Sequence, residues 1–365
     1  MRLALWLASK ALGDTSPNPA VGAVIVKSER VVGQGYHRQA GLPHAEVEAL
    51  REAGARAKGA TMFVTLEPCA HTGRTPPCCE AIIEAGIRCV VVARKDPNPL
   101  TNGRGIARLR SAGIQVILGV LEEEAERLNA PFAKFITKAL PWAIVKISQS
   151  LDGKIATRTG DSKWISSVAS RELAHRLRRQ VDAIVVGVNT VRRDDPLLTV
   201  RGAGRPVRPH KPLKVIVDSH LRTPLTSRCL SKASPAKTIL ATTERSSRKR
   251  APFLTRGADV LVLPSLRGRV PLARLFRELA RRYGVMSVLI EGGGEVIASA
   301  LEERLVDRVV WSIAPIIIGG RTSPSSVGGE GPARLAKAVR VDDVLIQRMG
   351  VDLVLDASPV YPTRR

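Results

Sequence analysis

A chain of 365 residues, 44% hydrophobic and 25% charged, carries enough apolar material for two ordinary cores and is neither a disordered polymer nor a fibrous repeat. Aromatics are only 3%, so the cores must be aliphatic, which favours α/β layers over a β-sandwich. The net charge of +24 is mostly Arg scattered over both halves, densest at 245–250; it would concentrate small anionic substrates near a cleft and leaves nucleic-acid binding as the lesser reading.

The opening MRLALWLASKAL looks superficially like a signal peptide, but its apolar stretch is short, Lys10 interrupts it, and it runs on through TSPNPAVGAVIV; it is expected to be an amphipathic first helix. Strands and helices then alternate: VGAVIV, HAEVEALREAGARA, TMFVTLE, CCEAIIEAG, RCVVVA and IQVILG. Such alternation predicts a layered sheet with helices on its faces. The charged helix LEEEAERLNAPFAKF leads to Pro141, where the pattern restarts with WAIVKIS. Two domains are therefore expected, over 1–138 and 141–365. In the second, DAIVVG, LKVIVD, TIL, DVLVL, VMSVLIE and DRVVWSIAPII read as strands, whereas RGAGRPVRPHKP, TTERSSRKRAP and GGRTSPSSVGGEGP read as loops. The best candidate for a membrane span, around 309–318, is broken by Ser312 and Pro315, so no membrane association is expected. Cys69, Cys78, Cys79, Cys89 and Cys229 form an odd, clustered set, which fits metal ligation in the reducing cytoplasm better than a disulfide framework.

The strongest chemical signal is His44-Ala45-Glu46, followed by Pro68-Cys69 and then Cys78. One imidazole and two thiolates suit Zn2+, and three protein ligands leave a fourth tetrahedral position for water. His44 follows Gly41-Leu42-Pro43, Cys78 follows Pro76-Pro77, and Cys69 lies on the turn leaving TMFVTLE. Helix N-termini are expected at such places, and their partial positive charge favours thiolates. Residues i and i+2 of a helix diverge, so His44 and Glu46 can share a site only if His44 stands at the helix mouth. Zinc lowers the pKa of water toward neutrality, and Glu46 would carry the proton to a ring nitrogen and the departing amine. The H-x-E plus P-C pattern is that of zinc nucleobase deaminases. A structural zinc is the plainer alternative. Cys79 is a possible rival to Cys78, although its side chain should point elsewhere on the helix, and Cys89 reads as core. In the second half, VMSVLI runs into Glu291-Gly292-Gly293-Gly294 and a helix, where backbone amides could approach a pyrophosphate; alone this is no more than a tight turn.

Eight residues separate Cys69 from Cys78, instead of the usual C-x-x-C spacing. The segment PCAHTGRTPPC, with TSPNPAVGAVIV before it and DPNPLTNGRGI after it, resembles the bifunctional riboflavin-biosynthesis deaminase and reductase family. The resemblance continues through KISQSLDGKIA, SKWIS, DAIVVGVNTVRRDDPLLTVR, EGGGEVIASAL and APIIIGG, covering nearly the whole chain in order. It implies an N-terminal cytidine-deaminase-like three-layer domain followed by a C-terminal dihydrofolate-reductase-like domain. The first would deaminate 2,5-diamino-6-ribosylamino-4(3H)-pyrimidinone 5′-phosphate with Zn2+; the second would use NADPH to reduce the ribosyl chain, giving 5-amino-6-(5-phosphoribitylamino)uracil.

By the same resemblance His44, Cys69 and Cys78 match the zinc ligands and Glu46 the proton donor, while Asn18, His71 and Arg74 would line the substrate pocket. In the reductase half it implies NADP contacts at Ser148, Trp164, Thr190, Asp194 and Ser219, and along Gly293, Gly294, Glu295, Val296, Ile297, Ala298 and Ser299. Substrate contacts would fall on Ser162, Arg178, Leu198, Arg201 and Glu291, with Lys146 assisting the substrate or the hydride step. A homo-oligomer is implied, a phosphorylated pyrimidine is the expected partner, and nucleic acid is not. Two other readings account for less: a nucleic-acid deaminase leaves the second α/β domain unexplained, and a half-active protein leaves the polar positions from Lys146 to Gly294 without purpose.

Overall fold

The computed structural model describes residues 1–71, 76–200, 212–231 and 236–363, which divide into two compact units, Met1–Leu140 and Pro141–Arg365. In the first, the opening segment is helix α1 (Arg2–Ser9), which buries Ala4, Leu7 and Ala8. The other elements are β1 (Gly22–Lys27), β2 (Arg30–Tyr36), α2 (Ala45–Ala53), β3 (Thr61–Val64), α3 (Cys78–Glu84), β4 (Cys89–Val92), α4 (Arg104–Ser111), β5 (Gln115–Leu118) and α5 (Glu122–Lys138). The strands form one sheet in the order β2-β1-β3-β4-β5. Strand β1 is antiparallel to both neighbours, and β3, β4 and β5 are parallel. Four consecutive buried residues in β4, Cys89–Val92, mark it as covered on both faces, as parallel strands between helical layers must be.

Strand β2 was not among the expected strands because its two glycines weaken the β signal. Their purpose is packing. A Cβ on Gly33 would lie 2.2 Å from the Ala49 carbonyl oxygen, and one on Gly35 would lie 2.6 Å from that of Ala45. Helix α2, which begins beside His44, therefore rests directly on the β2 backbone.

The second unit comprises β6 (Trp142–Ser150), α6 (Val168–Gln180), β7 (Ala183–Gly187), α7 (Val188–Asp194), β8 (Leu213–Val217), β9 (Thr238–Thr242), α8 (Ser247–Thr255), β10 (Asp259–Val262), α9 (Leu272–Tyr283), β11 (Ser287–Glu291), α10 (Gly294–Glu302), β12 (Val306–Ala314), β13 (Arg340–Met349) and β14 (Asp352–Val360). Its sheet runs β10-β9-β8-β7-β11-β6-β12-β14-β13, parallel up to β12 and antiparallel through the final hairpin. Ile144, Ile184, Ile216, Leu240 and Leu289 from five strands build a core with Leu177 and Val181 of the α6 region and Phe253 of α8.

Two expectations need correction. TTERSSRKRAP is only partly a loop: the Ser246 side chain accepts the Lys249 N–H at 3.4 Å and starts α8, whose apolar anchor, Phe253, follows the charge run. Such an N-cap overrides a polar composition. The hairpin of β13 and β14 was also not anticipated. Of the loop RGAGRPVRPHKP, most lies outside the described residues.

Helix α4 presses on the turn that carries Cys69, since a Cβ on Gly105 would sit 1.9 Å from the Pro68 carbonyl oxygen. Gly105→Ala should therefore destabilise the protein by about 1–3 kcal/mol, the usual cost of overpacking, and weaken metal binding. Denaturant unfolding and metal titration check this; an unaltered midpoint would mean that α4 can withdraw freely.

Candidate metal centre and dinucleotide cleft

Three local devices converge in the first unit. His44 is the N-cap residue of α2, with extended backbone at φ −73° and ψ 162°. Cys78 is the first residue of α3, and its N–H donates to Cys69 Sγ at 3.3 Å. His44 Nδ1 lies 3.1 Å from Cys78 Sγ and 3.7 Å from Cys69 Sγ, and the three ligand atoms all fall within 4.8 Å of one another. A tetrahedral zinc with bonds of 2.0–2.3 Å sets neighbouring ligand atoms roughly 3.5–3.8 Å apart, so this donor set fits zinc with minor adjustment. Cys79 instead turns its thiol to the carbonyl oxygens of Pro68 and Gly105, at 3.4 and 3.5 Å.

The electrostatics suit a metal. Hydrogen bonds from Cys78 and His44 hold the Cys69 thiol down to about 4. The Cys78 thiol is pushed up, because it donates to Cys69 and is buried. His44 is raised by its contact with Cys69. One thiolate thus stands ready, and the second forms when a cation offsets the repulsion between the two.

A cavity of about 340 Å³ opens beside the cluster, lined by Asn18, His44, Glu46, Cys69 and His71 among others. Glu46 is only 3% exposed, and burial pushes its carboxyl up to about 7. Near neutrality it can hold or release a proton. Arg74 lies outside the described residues.

Several residues of this cavity carried no signal that would single them out. His37 lies 3.1 Å through Nδ1 from the Pro43 carbonyl oxygen and 3.1 Å through Nε2 from Asn18 Nδ2. A carbonyl only accepts, so Nδ1 bears the proton and Nε2 accepts from Asn18. Asp96, Asn98 and Phe132 also line the cavity, and burial pushes Asp96 up to about 6. The buried Glu67 accepts the N–H groups of Asp96, Gly103 and Ile106 at 3.2, 2.9 and 3.1 Å and pins their loop. DPNPLTNGRGI was the available clue, as a polar loop after an aliphatic strand.

In the second unit, a cleft of about 910 Å³ lies at the carboxyl ends of β6, β7, β8 and β11, the usual ligand position in an open α/β sheet. Ser148, Ser162, Thr190, Asp194, Leu198 and Ser219 line it, as do Gly293, Gly294, Glu295, Val296, Ile297 and Ser299. Gly292 and Gly293 take φ of +76° and +82°, a conformation suited to glycine, immediately before α10. Lys146 reaches the cleft and donates to Ser148 Oγ at 2.5 Å, with burial lowering its pKa.

Two expected residues stand outside this lining. Trp164 is 70% exposed and stacks under the Arg171 guanidinium at 4.6 Å, outside the cleft lining. Ala298 is buried and likewise absent from that lining. Arg178 donates through Nε to both Glu291 carboxylate oxygens at 2.8 and 2.9 Å, and through Nη1 to the Thr199 carbonyl at 3.1 Å. Both side chains line the cleft. Arg201 lies outside the described residues.

Comparison with known proteins agrees with both halves. Residues 1–94 match the cytidine and deoxycytidylate deaminase zinc-binding region, and residues 141–355 match the RibD C-terminal domain. The riboflavin biosynthesis protein RibD of Aquifex aeolicus is 47% identical over 355 residues, covering 97% of this chain and 96% of that protein. The chain belongs to the RibD family. The RibD protein of Escherichia coli K12 is 42% identical over 328 residues, covering 87% and 88% of the two chains. Among solved structures, Acinetobacter baumannii RibD superposes with a TM-score of 0.87 at 36% identity, covering 98% of this chain and 97% of that one. A Thermotoga maritima diaminohydroxyphosphoribosylaminopyrimidine deaminase/5-amino-6-(5-phosphoribosylamino)uracil reductase does so with a TM-score of 0.85 at 34% identity, covering 99% and 97%. Zinc and NADPH are the cofactors of this RibD-family chain. No helix among the described residues is long and apolar enough to cross a membrane.

Because Cys78 holds its proton in the absence of metal, zinc uptake at neutral pH should release protons, and affinity should fall as pH falls. Calorimetry in buffers of different ionisation enthalpy, with a competing chelator, reads both; proton-free uptake would contradict the assignment of Cys78 as ligand.

Proposed function

We propose that this RibD-family chain catalyses two consecutive steps of riboflavin biosynthesis, with the deaminase in residues 1–138 and the reductase in 141–365. The observation that carries the first assignment is the juxtaposition of His44, Cys69 and Cys78 with buried Glu46 in one cavity. The substrate is 2,5-diamino-6-ribosylamino-4(3H)-pyrimidinone 5′-phosphate, and water replaces its 2-amino group, releasing ammonia. Zinc, held by His44, Cys69 and Cys78, supplies the Lewis acidity that makes water nucleophilic at neutral pH. Glu46 accepts the proton of that water and returns it to the ring nitrogen and the leaving amine, a task suited to a carboxyl titrating near 7. Asn18, held through His37, together with His71 and Arg74, binds the pyrimidine and its ribose phosphate.

In the second unit bound NADPH would supply the hydride, and water the proton, that together reduce the ribosyl chain to ribityl. Gly293 to Ser299 at the start of α10, where backbone amides and the helix dipole favour anions, would hold its pyrophosphate. Ser148, Thr190, Asp194 and Ser219 contact the remainder of the cofactor. Lys146 assists the sugar, with Ser162, Leu198 and the Arg178–Glu291 pair shaping the substrate side of the cleft, and Arg201 is a further substrate contact of this proposal. The cofactor contacts at Trp164 and Ala298, which stand outside the cleft lining, belong to the same proposal. The product is 5-amino-6-(5-phosphoribitylamino)uracil. The protein acts in the cytoplasm on a free ribotide rather than on nucleic acid, and as a homo-oligomer; its unpaired cysteines accord with a reducing compartment.

A coupled assay tests the two steps separately. Glu46→Gln should retain zinc but lose ammonia release by roughly 10²–10⁴-fold, the range for removing a general acid–base, while NADPH oxidation with pre-deaminated substrate stays unchanged. Lys146→Ala should show the converse pattern. Full ammonia release by Glu46→Gln would remove Glu46 from the mechanism, and failure of the wild type to oxidise NADPH would remove the second step.

A further inference from the structure

Behind the reductase cleft, under helix α6, lies a group of buried polar side chains that the two reactions leave unexplained. Ser170 Oγ, Ser312 Oγ and Asp352 Oδ1 have no hydrogen-bond partner among the described residues, and all three residues are fully buried. Residues paired across neighbouring strands share a face of the sheet. Ser312 of β12 stands beside Ser148 of β6 and opposite Val354 of β14. Ser148 and Ser312 therefore lie on one face with Asp352, two residues before Val354, and with Lys146, two residues before Ser148. Helix α6 covers that face, since Leu177 shares a core with Ile144, Val310 and Val354. Ser170 lies two turns before Leu177 on the same side of the helix. The N-cap residue of α6, Ser167, donates its N–H to Asp352 Oδ2 at 2.8 Å.

Diagonal neighbours in a sheet stand roughly 7–8 Å apart, a span that suits one water between Ser312 and Asp352. A carboxylate oxygen only accepts, whereas a hydroxyl both donates and accepts. One bound water can thus partner all three orphaned atoms, and about three partners is the usual coordination of a buried water. The track opens into the cleft, because Lys146, Ser148 and Ala174, one turn on from Ser170, all line it. Lys146 Nζ donates to Ser148 Oγ at 2.5 Å, which leaves the Ser148 proton free to point onward. The charges call for the same arrangement. Glu291 gives both carboxylate oxygens to Arg178, so Lys146 shares that anion with a second cation. Burial lowers the pKa of Lys146, Glu291 opposes this, Arg178 adds to it, and Asp352 opposes it in turn. Counting Asp352, two cations face two anions; without it one positive charge is left over in a poorly solvated place.

We propose that Asp352 is a positioning residue of the reductase, acting on Lys146 through a buried track of Ser148, Ser312, Ser170 and bound water. The proposal rests on the reading given above, in which Lys146 assists the sugar, and takes its ammonium form as the one that does so. Asp352→Asn keeps an acceptor for the Ser167 N–H and removes the charge. Loss of a nearby anion makes an ammonium easier to deprotonate. The titration midpoint of Lys146 should therefore fall, and the alkaline limb of the reductase pH profile should move to lower pH with it, while Glu291 and Arg178 still face Lys146. On that limb kcat should drop roughly tenfold or more, as for losing one hydrogen bond to a charged group, with KM for NADPH unchanged. NMR of the full-length, zinc-loaded protein with isotopically labelled lysine, the Lys146 signal being assigned by its absence from Lys146→Arg, reads the titration without cofactor or turnover. Steady-state reduction of pre-deaminated substrate reads the pH profile. Ser167→Ala, which removes the cap hydroxyl of α6, should lower thermal stability and leave both readouts unmoved; if it moves them as far as Asp352→Asn does, the effect belongs to the anchoring of α6 and the proposal fails. If Asp352→Asn does not fold, Ser312→Ala interrupts the same track and should act in the same direction. An unaltered Lys146 titration in a folded Asp352→Asn or Ser312→Ala variant would overturn the track, as would a raised KM for NADPH with kcat unchanged. A lowered midpoint with an unmoved reductase profile would confirm the track and overturn its part in the reduction, together with the reading of Lys146.

Discussion

The distance at which α2 lies on β2 governs the first site. Gly33 and Gly35 let the helix backbone come within a contact that any Cβ would prevent, and this fixes where the first turn of α2 ends up. His44 caps that turn with its imidazole facing the thiols, and Glu46, two residues on, is carried into the same cavity. A residue at i and one at i+2 meet there only because His44 has extended backbone and has not entered the helix. Likewise, Gly105 lets α4 press on Pro68, so the turn bearing Cys69 is clamped as well. Close backbone packing, rather than the ligands alone, thus predisposes the donor set for metal.

Around that donor set the polar groups are arranged in ranks. His37 orients Asn18, and the Glu67 carboxylate binds two amides of the loop that contributes Asp96 and Asn98 to the cavity and one in the first turn of α4. A buried carboxylate used in this way exchanges its hydration for fixed N–H donors, which ties both ends of the loop to one side chain. The second unit does the same with opposite charges: Arg178 and Glu291 neutralise one another at the cleft, beside a lysine whose pKa burial lowers. Breaking such a pair strands a charge in a poorly solvated place, whereas the intact pair holds both groups in place.

The metal ligands were legible from residue order because each depends on local chemistry. Proline before a helix, a cysteine leaving a strand and the H-x-E triplet are short-range patterns, and the spacing across PCAHTGRTPPC marked the family. The aliphatic strands β4, β7, β8 and β11 were equally plain, being continuous Val and Ile runs between turn residues. Strand β2 was hidden because its glycines answer to a helix packed from elsewhere, and α8 because its charge run precedes its single deep anchor.

The sequence by itself determined the aliphatic two-part organisation, the donor set and the glycine turn before α10, since each is assembled from short local patterns repeated or spaced along the chain. The tertiary structure alone decided that Arg178 is spent partly on Glu291, that Trp164 and Ala298 lie off the cleft lining, that His37 and Glu67 stand behind the deaminase cavity, and that β13 is left uncovered. Each of these depends on side chains brought together from distant positions, where neither periodicity nor spacing carries the distance between them.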